Sequence, residues 1–299
     1  MRDEKMKQLN EALFQWFKKY GRHDLPWRKT NDPYKILVSE VMLQQTQGSR
    51  ALSKYDEFLK TFPSIKALAA APLGAVLRAW SGLGYNRRAK YLWECARIVN
   101  AKYSGEFPKS FETLQELPGI GRGTAAALMS FAFGGDEPMI DTNIRRIIVR
   151  IFFLQRKSSH NIGSISRSYD TTNLDYVLYK FTKQIIPKGR GRDWNWAMMD
   201  VGALVCTAKH HDDAACPFQK LHGAVEDFQY KKPQKKFKGS DRYYRGKIIA
   251  ALACAPQGLA SSRMRDIVKV SEQKFDAVVD GLHREGLVVR QRGKMQLPS

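Results

Sequence analysis

Acidic residues are scarce in this chain. Only 29 Asp and Glu stand against 50 Lys and Arg in 299 residues, a formal charge of +21. Such an excess disfavours cationic partners and suits a polyanion, with solubility alone as the plain alternative. No apolar run approaches the ~20 residues of a membrane-spanning helix, so no membrane partner is expected. Cysteine is sparse too: Cys95, Cys206, Cys216 and Cys254 lie far apart with no CxxC pair. That excludes a disulfide framework and fits reduced thiols. The opening MRDEKMKQLNEAL has no apolar signal region, and the expected location is cytoplasmic. The length leaves room for two or more domains and a sizeable core.

What is present centres on residues 110–150, SFETLQELPGIGRGTAAALMSFAFGGDEPMIDTNIRRIIVR. Phe111, Leu114 and Leu117 recur at helical spacing until Pro118-Gly119 ends the helix. Gly119, Gly121 and Gly123 are expected to give a turn with positive φ and close backbone approach. Thr124 is the expected cap of the small-residue helix that follows. Free N–H groups at such a turn make a seat for phosphate, and Arg122 adds charge; an ordinary turn between helices is the competing reading. Asp141 stands in an apolar frame, after Pro138-Met139-Ile140 and before Ile144. It reads either as the N-cap of a helix over 142–151 or as a buried reactive carboxyl.

Upstream, Leu9, Leu13, Trp16 and Phe17 mark an amphipathic helix over 6–19. Glu40 stands among Ile36, Leu37, Val38, Val41, Met42 and Leu43. It is either a solvated residue on a buried helix or a desolvated acid with a raised pKa, suited to proton donation. Gln44 and Gln45 follow at the helix end. Residues 62–103 read as two helices, PSIKALAAAPLGAVLRAWSGLG and NRRAKYLWECARIVNAKY. At GLGYNRRAK between them, Tyr85 near Arg87 is a base-stacking aromatic or a helix-start anchor. One helix around YVLYKFTKQII is expected within 152–190. DWNWAMMDVGALVC reads as another, turning Trp196, Met199, Ala203 and Leu204 inward. Residues 228–241 form a basic linker. Three helices and a hairpin around Arg292-Gly293 then predict a winged helix–turn–helix, with Ser271 capping the third helix. Its third helix, Arg290, Arg292 and Lys294 suit DNA contact, and a packing or protein-contact module is the equal alternative.

LPGIGRGTAAALMSFAFG followed by MIDTNIRRIIVRIF, with LPWRKTNDPYKILVSEVMLQQTQ upstream and AMMDVGALVCT downstream, resembles the helix–hairpin–helix DNA glycosylase superfamily. The branch it resembles most is the A/G-specific adenine DNA glycosylases, over roughly residues 8–222. The resemblance implies an all-α fold, with a core of two helical subdomains over 1–227, the linker over 228–241 and the winged helix over 242–299. It implies a monomeric base-excision repair enzyme that flips a mispaired base out of double-stranded DNA, associated with the nucleoid in a bacterium. The base is adenine opposite guanine or 8-oxoguanine; a thymine or uracil mismatch glycosylase on the same fold and a non-catalytic DNA-binding protein are the alternatives. Glu40 then protonates the departing base, Asp141 stays ionised to stabilise the sugar cation or orient the nucleophile, and Asn143 positions one of these groups. Gln44 and Gln45 enter the duplex, while Tyr85, Arg87, Gly119, Gly121, Arg122 and Gly123 bind DNA. Lyase-capable relatives carry Lys at position 123; Gly123 forms no Schiff base, which implies a monofunctional enzyme.

Two departures stand out. The superfamily's Cys-x6-Cys-x2-Cys-x5-Cys iron–sulfur ligands fall on Cys206, Asp213, Cys216 and His222, so two thiolates are missing. No metal is therefore expected, with zinc at these four positions as second choice and Pro217-Phe218 plugging the loop. The C-terminal pattern also differs from the Nudix-like domain usual in the adenine branch.

Overall fold

The computed structural model describes residues 2–153, 171–208, 210–222, 236–291 and 293–299. Helix α1 (Arg2–Tyr20) is followed by a 3-10 turn (Pro26–Arg28), α2 (Pro33–Leu43), α3 (Gly48–Thr61), α4 (Ile65–Ala70), α5 (Leu73–Ala79) and α6 (Arg87–Tyr103). Next come α7 (Phe111–Gln115), α8 (Arg122–Phe131) and α9 (Thr142–Ile148), which runs into a π-helical turn (Val149–Phe153), then α10 (Thr171–Lys183) and α11 (Gly191–Leu204). The C-terminal elements are α12 (Asp241–Ala253), β1 (Leu259–Ala260), α13 (Ser261–Val268), α14 (Glu272–Arg284), β2 (Val289–Gln291) and β3 (Lys294–Gln296). The helix expected over PSIKALAAAPLGAVLRAWSGLG is in fact α4 and α5. Ser64 caps α4 by accepting from the Ala67 N–H at 3.2 Å, and Pro72, which has no N–H to donate, separates the two. The rest of the variable region (154–170), the expected boundary near 228 and wing residue Arg292 lie outside the described residues.

The chain divides into two compact units, Met1–Ile36, Lys109–Phe111 and Gly121–Lys232 in the first, Leu37–Pro108, Glu112–Ile120 and Pro233–Ser299 in the second. In the first unit α11 packs against α1, α8 and α9. Its buried face is Trp194, Ala197, Met198 and Val201, the i, i+3, i+4, i+7 stripe of an amphipathic helix. Trp196 is buried as expected, but Ala203 and Leu204 point outward and Met199 is half-buried. The helix is rotated because two polar residues, Asn195 and Asp200, also face inward. Asn195 donates to Glu137 O and Gly191 O, both at 2.9 Å, and accepts from the Met139 N–H. Asp200 is fully buried and takes a bidentate pair from Arg28 (2.7 and 2.8 Å) plus the backbone N–H and Nε of Arg22 (2.8 and 2.7 Å). Desolvation alone would raise its pKa; the hydrogen bonds and charges of Arg28 and Arg22 outweigh it and hold the carboxyl below the ordinary value.

In the second unit α4 and α5 pack on α6, α3 packs on α5, and α12 packs on α5, α13 and α14. Phe58, Leu68, Leu77, Trp80, Leu92, Cys95 and Val99 fill the core. The expected C-terminal helices and hairpin are present, with one further strand: β1 joins the hairpin in an antiparallel sheet ordered β1-β3-β2. Pro298 O accepts from the Gly74 N–H at 2.8 Å, and a Cβ at position 74 would collide with that oxygen, so the first turn of α5 needs glycine there. All four cysteines are free thiols.

Asp200→Asn strands Arg28, whose side chain is only 4% exposed, without a counter-charge. We expect a loss of about 3–5 kcal/mol in urea unfolding. Because the folded-state pKa is depressed, this contribution is present above the unfolded value of ~3.9 and lost as pH falls through the folded value. Wild type and variant should converge in stability in acid.

Candidate active site and nucleic-acid interface

In the first unit, α9 begins at Asp141, whose extended backbone (φ −86°, ψ −176°) places it just outside the helix. Its Oδ1 accepts from the N–H groups of Asn143 (2.9 Å) and Ile144 (2.7 Å), and its Oδ2 from Asn143 Nδ2 (3.0 Å). Asp141 is thus the N-cap of α9. Burial raises its pKa; the three hydrogen bonds and the Arg146 charge pull the other way without cancelling the rise. The resemblance implies an ionised carboxylate here, and burial makes that form costlier. Asn143 is itself held: its Oδ1 accepts from Arg146 Nη2 at 2.8 Å, and the same guanidinium donates to Gly202 O and Cys206 O, each at 2.6 Å. Gly202 has no space for a side chain, since a Cβ there would collide with that of Asn143. Sequence reasoning missed both. Arg146 is buried, and no local pattern marks it.

In the second unit Glu40 lies half-buried on α2, between buried Ser39 and Val41. The helix stops at Leu43; Gln44 is half-buried, and exposed Gln45 turns the chain with φ +54°. Arg88, which the sequence reading passed over, holds this turn. Its guanidinium donates to the carbonyls of Val41 (2.7 Å), Met42 (3.0 Å), Gln44 and Gly84 (3.1 Å) and to Thr46 Oγ1 (3.1 Å). The last carbonyls of a helix have no partner within it, and a cation there also meets the negative end of the helix dipole. Burial lowers the Arg88 pKa to about 10, so the group is still charged at neutral pH.

The GLGY segment is a true left-handed turn, with φ of +93° at Gly82, +71° at Gly84 and +48° at Tyr85. Tyr85 accepts at its hydroxyl from Arg242, whose guanidinium lies 5.4 Å from the ring centroid. Exposed Arg87 pairs with Glu285 at 3.4 Å. Both expected DNA contacts therefore touch C-terminal elements. Tyr85 also lines a cleft of about 600 Å³ with Gln45, Arg50, Arg242, Tyr243 and Lys247. This mixture of aromatic and basic groups suits nucleic acid.

Only one of the three hairpin glycines has the positive φ expected. Gly119 (φ +76°) approaches Tyr91 so closely that a Cβ would sit 2.8 Å from the Tyr91 Cβ. Gly121 is extended (φ −86°, ψ 179°) and is itself the N-cap of α8, without a side-chain cap bond. Thr124 is buried inside that helix and does not cap it. Gly123 lies in the first turn, where an added Cβ meets nothing within 4 Å. Exposed Arg122 lies over the Tyr179 ring at 4.6 Å, a cation–π contact.

The loop after α11 differs from the ligand set read in the sequence. Cys206 Sγ accepts from Arg150 Nη1 at 2.8 Å, and the Asp213 side chain is 69% exposed. Among the described residues the side chains that converge are His211, Cys216 and His222, their donor atoms within 4.8 Å of one another. His211 takes the place assigned to Asp213. A four-iron cluster needs four thiolates, and this donor set does not fit it. Phe218 is buried as the expected plug, with Pro217 half-buried beside it.

Residues 38–166 match the family model of the HhH-GPD superfamily base excision DNA repair protein. The chain is 34% identical over 281 residues to the adenine DNA glycosylase of Mycolicibacterium smegmatis, covering 92% of this chain and 91% of that one. It is 35% identical over 209 residues to the adenine DNA glycosylase of Buchnera aphidicola subsp. Baizongia pistaciae, spanning 70% of this chain but only 56% of that relative's length. A solved structure of a thermostable thymine-DNA glycosylase superposes with a TM-score of 0.65 at 29% identity, over 74% of this chain and 96% of that one. These matches agree with the all-α helix–hairpin–helix expectation, and the chain belongs to the HhH-GPD superfamily of base excision DNA repair proteins.

Proposed function

We propose that this protein is a base-excision repair DNA N-glycosylase that removes adenine mispaired with guanine or 8-oxoguanine, working as a cytoplasmic monomer on double-stranded DNA. The observation that carries the reading is Asp141. It is a desolvated carboxyl at the N-cap of a helix, fixed by Asn143, which Arg146 and Gly202 fix in turn. Such a preorganised negative group suits a reaction in which positive charge develops on the sugar. Glu40 donates a proton to the departing base as the N-glycosidic bond breaks, and water adds to the sugar carbon, the proton it sheds returning to the Glu40 carboxylate. Gln44 and Gln45 hold the vacated space. The open first turn of α8, with Gly121, Arg122 and Gly123 exposed, takes backbone phosphate, as do Gly119 and the basic groups around Tyr85. The adenine relatives support adenine as substrate, and a panel of duplexes carrying A·G, A·8-oxoG, T·G and U·G decides it. Base release from the A-containing duplexes is the expected outcome; release from T·G or U·G alone overturns the adenine assignment.

Glu40→Gln keeps the shape but not the proton. It should lower single-turnover base release by roughly 10²–10⁴-fold with duplex affinity nearly unchanged; release within a few-fold of wild type removes Glu40 from the acid role. Asp141→Asn retains a capping oxygen and so should fold, while release falls at least ~10²-fold. Because burial raises the Asp141 pKa, the acid limb of the wild-type pH–rate profile should lie above the ordinary aspartate value of ~3.9.

The reading also makes the enzyme monofunctional, since Gly123 has no amine to form a Schiff base. Product strands should remain intact until alkali or heat is applied, and borohydride should trap no wild-type adduct. The open space at Gly123 admits a side chain, so Gly123→Lys should fold and gain trappable lyase activity. A strong wild-type adduct would show another amine at work.

A further inference from the structure

We propose that the loop after α11 binds one divalent cation of the zinc class through His211, Cys216 and His222. The donor atoms of these residues all lie within 4.8 Å of one another, and Cys216 Sγ is 3.4 Å from His222 Nε2. Bonds of ~2.3 Å to sulfur and ~2.0 Å to nitrogen at a tetrahedral angle separate the two donors by about 3.5 Å, close to what is seen. The two imidazoles meet nearly perpendicular (83°), with centroids 4.9 Å apart.

His211 makes the stronger case. Its side chain is 6% exposed, and neither ring nitrogen has a hydrogen-bond partner. Asp213 Oδ1 lies 3.3 Å from Nε2 but off the line that a hydrogen bond requires. A buried imidazole left so is costly, and a cation among the three side chains supplies the missing partner. The backbone N–H of Phe218 donates to Cys216 Sγ at 3.4 Å, the outer contact that steadies a metal-bound thiolate. One thiolate and two imidazoles select a soft or borderline ion over magnesium or calcium. The fourth position falls to water or to the Asp213 carboxylate. Bound there, the ion ties residues 211–222 to the end of α11, where the Cys206 carbonyl receives Arg146.

The test uses the full chain, purified without chelator. Elemental analysis should find one zinc per chain, with neither iron nor acid-labile sulfide. Metal-stripped protein titrated with Co²⁺ should develop a thiolate-to-cobalt charge-transfer band with tetrahedral visible bands, and Zn²⁺ should displace them. Zn²⁺ should also raise the Tm of the stripped protein. Cys216→Ser should lose the charge-transfer band, and His211→Asn should weaken Zn²⁺ uptake at least ten-fold. Failure of the stripped, folded wild type to take up either ion at micromolar concentration overturns the proposal. So does iron with labile sulfide, or undiminished binding in both variants. If the variants do not fold, the wild-type cobalt spectrum decides alone, and absence of a thiolate band overturns the site.

Discussion

Arg88 gathers oxygens from two turns that are far apart in sequence, the end of α2 and the GLGY segment. Helix C-termini leave carbonyls without partners, and burying them unpaired is costly. One planar guanidinium satisfies several at once, and its fixed fork sets the direction of each. The exit of α2, and with it the placing of Glu40, Gln44 and Gln45, depends on that one side chain. Arg146 plays the corresponding part in the first unit, spanning Asn143, Gly202 and Cys206. A protein this basic therefore spends some of its arginines inside. The net charge that suits a polyanion and the cations that organise the fold are partly separate populations.

The parts of the candidate site that were legible in the sequence are those set by neighbours a few residues away. Asp141 reads as a cap because Asn143 and Ile144, two and three residues on, carry the N–H groups it accepts. Gly119 reads as a turn because Pro118 precedes it. The missed residues share a different property: each has at least one partner far off in sequence. Arg88 serves carbonyls more than forty positions upstream, and Gly202 is required only by the Cβ of Asn143.

Misreadings also had local causes. Thr124 has the side chain of a cap, whereas an extended Gly121 lets the helix start three residues earlier. Ala203 and Leu204 were turned inward on hydrophobicity alone, but a helix that must also bury Asp200 and Asn195 rotates to suit its polar residues, which tolerate misplacement least. In the loop after α11, spacing taken from a cluster-binding pattern pointed to Asp213. The chain there folds back through a Cys206–His211 bridge, bringing a neighbouring histidine in and leaving the aspartate outside.

Arg87 and Arg88 are adjacent on one helix and differ in how freely they change partners. Arg88 is bound to at least five oxygens, and each would need a substitute before it could leave. Arg87 is 59% exposed and shares Glu285 with Arg245, so Glu285 keeps a cation if Arg87 departs. An exposed pair of this kind is worth at most ~1 kcal/mol. Arg87 is thus an exchangeable cation parked on a carboxylate, one that can leave it at almost no thermodynamic expense. Its neighbour holds the end of α2 and the GLGY turn whichever partner Arg87 takes.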